Sequence, residues 1–109
     1  MGNYVLSLRA PKGRVPSAEE EAGWLRWFEK IGGQIVDIGQ VKRDANGYFV
    51  TGVGGASSDV LAGWIVISAE SLDAAVAVAE ECPMLLQGGR VEVGEMPPAD
   101  ATLVSGMPS

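Results

Sequence analysis

Three carboxylates, Asp37, Asp59 and Glu92, are the residues of this chain placed to move a proton. A carboxylate serves as a general acid or base near neutral pH when a dry surrounding raises its pKa. Asp37 lies between Val36 and Ile38, so it faces either solvent from an edge strand or a pocket. Glu92 alternates with Val91 and Val93 and is either exposed or inside a cavity. Asp59 sits in the glycine- and serine-rich stretch 52–62 that leads into a strong strand. There is no histidine and one cysteine, so no histidine base activates a nucleophile and zinc has no first shell. Asp37, Asp44 and Asp59 lack the spacing of an EF-hand loop. Neither a metal nor a cofactor is expected.

The candidate binding residues are aromatic and basic. Trp24, Trp27, Tyr48 and Trp64 either line an apolar pocket or fill the core. Arg9 follows a strand and either meets an anionic ligand at a cavity mouth or pairs with a surface carboxylate. The run Gly52-Val53-Gly54-Gly55 suggests a phosphate cradle, but it lacks the Gly-Lys-Ser/Thr ending of a P-loop. It also leads into a strand, whereas a dinucleotide fingerprint opens a helix. A flexible connection, acting as a lid over a pocket, is the expectation. Cys82 stands at a helix C-terminus, where the dipole gives a thiolate no help, and is expected to be a buried structural thiol.

The elements that position these residues form one small domain of 109 residues, 47% hydrophobic. Net charge is −6, and the eight Lys and Arg residues are scattered, which disfavours nucleic acid. The longest apolar run is far short of the ~20 residues a membrane helix needs. The start MGNYVLSLRA is unlike a secretory signal, and Leu6 breaks a myristoylation motif. A single cysteine suits a reducing cytoplasm.

Strands are expected over Tyr4 to Leu8, Gln34 to Val41, Tyr48 to Val53, Gly63 to Ser68 and Arg90 to Glu95. Ser17 with Glu20 makes a capping box for a helix from Ala18 to Ile31, ended by a left-handed cap at Gly32-Gly33. Asn46-Gly47 is a hairpin turn. Ser71 caps a second helix that Pro83 ends, followed by a loop from Met84 to Gly89. This second helix is apolar on nearly all faces, which calls for cover beyond its own sheet. The order predicts an α+β fold: a ferredoxin-like split βαβ with an extra edge hairpin strand, its antiparallel sheet carrying two helices on one face. The open sheet face then needs a partner, and a homodimer or higher homo-oligomer is expected.

The chain resembles the YCII-related domain family. The resemblance rests on Trp24 and Trp27, Ala62-Gly63-Trp64, Ser71-Leu72-Asp73-Ala74-Ala75, Glu81-Cys82-Pro83 and Gly88-Gly89-Arg90-Val91-Glu92-Val93. It covers roughly residues 4 to 97 and implies a dimeric α+β barrel of ferredoxin-like subunits, with 1–97 as the domain. The end of the chain shows no periodicity, and 98–109 is expected to be a tail packed on a partner subunit. Many members carry Asp-Gly-Pro-Phe where this chain has Thr51-Gly52-Val53-Gly54, and some pair a histidine with an aspartate. Here the histidine is absent and Thr51 replaces the aspartate. Arg9, Trp24, Trp27, Tyr48, Thr51 and Trp64 form the expected ligand pocket. The expected function is a non-catalytic homodimeric binding or structural domain. Its partners would be itself and a small organic ligand, with neither nucleic acid nor membrane. The alternative is an enzyme on a small organic substrate, run by Asp37, Asp59 or Glu92 in a dimer cavity.

Overall fold

A computed structural model describes residues 1–13, 16–55 and 57–98. Strand β1 (Gly2–Pro11) alternates strictly, with Tyr4, Leu6, Leu8 and Ala10 buried on one side. Helix α1 (Ala18–Ile31) starts with the expected capping box. The Ser17 hydroxyl accepts from the Glu20 N–H at 3.2 Å, and the Glu20 carboxylate accepts from the Ser17 N–H at 3.0 Å. The helix does not end in a left-handed cap. Gly32 stays right-handed at φ −51°, and the chain tightens into a 3-10 turn, Gly32–Gln34, whose first carbonyl accepts from the Ile35 N–H. A tightened turn satisfies terminal carbonyls without any positive φ.

Strand β2 (Ile35–Gln40) follows, then a hairpin of β3 (Arg43–Asp44) and β4 (Gly47–Tyr48). The returning strand is two residues long, not the six expected over Tyr48 to Val53, and it pairs with β3 outside the main sheet. Three glycines between Thr51 and Ala56 leave few side chains to hold a longer strand. Strand β5 (Asp59–Ala69) begins four residues before Gly63, and β1 also outruns its expected ends. Helix α2 (Leu72–Glu80) is capped by Ser71, whose hydroxyl accepts from the Ala74 N–H at 3.1 Å. The expected loop after it holds a 3-10 turn, Pro83–Gln87, that closes on Gly88 at φ +78°. Strand β6 (Arg90–Glu95) completes the chain as described, and the tail expected over 98–109 lies outside the described residues from 99 onward.

The sheet order is β2-β5-β1-β6, antiparallel throughout. This is the split βαβ arrangement, an α+β ferredoxin-like fold with both helices on one face. Leu6 opposite Ile65 and Tyr4 opposite Ile67 form the centre of the core. Leu6, Ile65 and Ile67 are fully buried, each contributing about 1.5–3 kcal/mol by leaving water. Trp27 and Ile31 from α1 and Ala75 and Ala79 from α2 close over them. On the other face, residues such as Val5, Ser7 and Trp64 lie under no helix. The Trp64 ring lies across Gly39, where a β-carbon would fall 2.0 Å from it.

A cluster of charges explains why β1 and β5 run longer than their apolar cores. Past a bulge at Leu8/Arg9, Pro11 pairs with Asp59. Arg9 donates to the Asp59 carboxylate through Nε at 3.1 Å and Nη2 at 3.0 Å. Arg90 Nε donates to its other oxygen, and Ser57 Oγ donates at 3.0 Å. The start of β5 is thereby tied to β1 and β6 by side chains that apolar periodicity does not register.

Two outcomes are expected. A β-carbon on Gly89 would lie 2.3 Å from the Arg9 carbonyl oxygen and 2.6 Å from Met84, so Gly89→Ala forces main chain apart. Urea unfolding should show a loss of about 1–3 kcal/mol, and an unchanged midpoint would contradict that contact. Arg90, then Arg9 and Ser57, hold the Asp59 carboxyl at about 2 against the opposing effect of burial. A depressed pKa stabilises the fold above the ordinary value of 3.8, and that stability drains away as pH falls toward about 2. Asp59→Asn should flatten this acid limb in unfolding measurements, and an unchanged limb would refute the assignment.

Candidate functional site

The two helices approach the sheet differently. The buried side chains of α2 are Ala75 and Ala79, and its backbone comes within 8 Å of β1, β5 and β6. Helix α1 faces the sheet with Trp24, Trp27 and Phe28. Trp27 is wedged into the core, and the three rings pack with centroids 5.6–5.8 Å apart, Trp24 edge-on to Trp27. This aromatic wedge props up the helix. Beneath its N-terminal half remains a cavity of about 460 Å³, which falls in the size range of small-molecule sites.

The walls of the cavity are apolar. Trp24, Leu25 and Phe28 come from α1, Ile38 from β2, and Ala62 and Ile65 from β5. Leu25 and Ile38, 65% and 48% exposed, form an open rim rather than a sealed lining. Polar groups gather at one side: Glu21 from the first turn of α1, and Arg43 and Tyr48, which face each other across the hairpin. Arg43 Nη2 donates to the Glu21 carboxylate. The Arg43 side chain is 22% exposed and that of Glu21 51%, so Arg43 is the more buried partner. Burial, opposed by Arg43 and assisted by Glu21, raises the Tyr48 pKa above 10.0. The phenol therefore keeps its proton at neutral pH and can donate a hydrogen bond.

Of the residues singled out in the sequence, the structure brings two to this cavity, Trp24 and Tyr48. Trp27 is buried behind Trp24, its indole N–H without an acceptor. Arg9, Asp59 and Glu92 meet outside the cavity lining: Asp59 holds Arg9 and Arg90, and Glu92 Oε1 lies 3.3 Å from Arg90 Nη1. Two cations there balance two anions. Trp64 is on the uncovered face, Thr51 is exposed beyond the hairpin, and exposed Asp37 accepts from the Ile38 N–H at 2.9 Å. The expected cavity between the open sheet face and a partner is thus different from the cavity within the chain.

Sequence reasoning passed over Glu21, Arg43, Leu25 and Ile38. Glu21 carries the ordinary signature of a first-turn acid favoured by the helix dipole, which it also is. The signal that points to Arg43 is its place four residues before Gly47 in an Asn-Gly hairpin, which sets it opposite Tyr48. Cys82 is buried, and burial pushes its thiol up to about 11, so it is protonated and unreactive at neutral pH. Among the described residues, no three His, Cys, Asp or Glu side chains gather as a metal-binding group. Among the described residues no helix is long and apolar enough to cross a membrane.

No protein-family model matches the chain, and no curated protein matches it. Among solved structures it is similar to 5-chloro-2-hydroxyhydroquinone dehydrochlorinase (TftG) from Burkholderia phenoliruptrix AC1100, in complex with 2,5-dihydroxybenzoquinone. The TM-score is 0.55 at 19% identity, over 87% of this chain and 93% of that one. At this identity the likeness is one of fold alone.

Proposed function

We propose that this protein binds a small, planar, largely apolar organic molecule in the cavity beneath α1, as one subunit of a homodimer and without turning it over. The observation that carries this reading is the aromatic-walled cavity of about 460 Å³ with a few polar groups, Glu21, Gln40, Arg43 and Tyr48, among its lining. Such a layout holds an apolar body by contact and orients it by a few hydrogen bonds. The carboxylates first considered for catalysis do not line the cavity, and Asp59 is committed to two arginines. The dimer rests on the sheet face that no helix covers, with Trp64 39% exposed at its centre. A reducing cytoplasm suits the single buried thiol.

A second reading, an enzyme acting on a small organic substrate, is favoured by one arrangement. Glu21 is a carboxylate at the cavity rim beside a protonated phenol, Tyr48, which is a possible acid and base pair. The solved structure of similar fold is an enzyme in complex with a small quinone.

Titration calorimetry with the neutral probes 2-naphthol and 2-naphthylmethanol tests the first reading. Dissociation constants in the micromolar to millimolar range, about −4 to −8 kcal/mol, are expected. Ile38→Trp fills the rim and should weaken binding about tenfold or more. Heats that are absent, or unchanged in the filled variant, would overturn the cavity as the binding site. Conversion of either compound, followed by chromatography, would replace the first reading with the second.

A further inference from the structure

We propose that the cavity is built for an organic anion, and that the Glu21 carboxylate occupies the ligand's place on Arg43 while the cavity is empty. The inference rests on the binding reading above and names the ligand's head group. Arg43 is the one cation among the described residues lining the cavity, and Glu21 the one anion. A guanidinium has five N–H donors in a fixed fork, suited to both oxygens of a carboxylate. Among the described residues Arg43 uses that fork on a single acceptor, Glu21 Oε1. Most of its donors are therefore unspent, although its side chain is only 22% exposed. A guanidinium with spare donors, on a mostly buried side chain at the edge of an apolar cavity, is a receptor for an acidic group on an apolar body.

Glu21 suits a displaceable occupant. It is half exposed, it leaves from the solvent side, and its backbone stays fixed by its N–H donating to the Ser17 carbonyl at 2.9 Å. The capping box beside it runs through Ser17 and Glu20, so helix α1 keeps its start when Glu21 swings away. Tyr48, on the strand opposite Arg43, is the neutral donor for a second polar group on the same ligand. The net charge of −6 repels anions at long range, so any preference for one must arise locally, at Arg43.

The test compares two ligands of one shape, 2-naphthoate and the neutral 2-naphthamide, by calorimetry at pH 7. The wild type should prefer the naphthoate. Glu21→Gln removes the internal competitor and should tighten naphthoate about threefold to tenfold, leaving naphthamide unchanged. Arg43→Gln should weaken naphthoate about tenfold or more and abolish the preference. Circular dichroism and the urea midpoint verify that both variants are folded, and the wild-type comparison needs no variant at all. Equal binding of the two ligands, or a Glu21→Gln variant indifferent to charge, overturns the inference and leaves the binding reading standing. If neither ligand binds, both fall.

Discussion

The structure depends on the height at which α1 rides above the sheet. Two helices share one face of four strands, yet one is lined with alanine and the other with tryptophan and phenylalanine. Interiors pack to nearly crystalline density, so helices resting on such different side chains cannot lie in one plane. Helix α2 settles onto the sheet through Ala75 and Ala79. Helix α1 is propped on Trp27, with Trp24 and Phe28 beside it, and a cavity opens along Glu21, Trp24, Leu25 and Phe28. The cavity is thus a consequence of core packing. Its rim is polar because the start of α1 and the β3–β4 hairpin, both surface segments, meet there through Glu21 and Arg43.

The Asp59 cluster lies at the same end of β1 and β5 as the cavity, outside its lining, and is arranged for a different purpose. Asp59 gathers Arg9, Arg90 and Ser57 around one carboxylate that is 16% exposed in its side chain. A charge that enclosed is costly unless paired and hydrogen-bonded, and here each oxygen has at least one donor. With its charges balanced, the cluster has little left to offer a ligand. It fastens the entrance of β5 to both neighbouring strands. Among the described residues Arg43 has a single acceptor and a cavity beside it, and this difference in satisfaction separates a structural cluster from a binding one.

Much of the fold was legible in the chain because local chemistry marked it. Ser17, Glu20 and Ser71 cap their helices as hydroxyl and carboxylate spacing predicts. The apolar runs at Tyr4 and Ile65 identified the two central strands, and the order of elements led to the split βαβ arrangement. The strand ends were hidden because they are held by pairing across the sheet and by the Asp59 cluster, both non-local. Gly32-Gly33 misled because a glycine permits a left-handed cap without requiring one. The site was only half legible. Trp24 and Tyr48 stood out by residue type, but nothing local says that Glu21 and Arg43, on separate elements, come together. That contact exists only once α1 has been propped at its height.

The account turns on the cavity beneath α1 being where a ligand sits. The most direct measurement is a set of intermolecular nuclear Overhauser effects between 2-naphthoate and the methyl groups of the labelled protein. Contacts from the naphthalene protons to Leu25, Ile38, Ile65 and Met84, which line the cavity, are predicted. Contacts instead to Val5 and Val66, on the far face of the sheet, would contradict it.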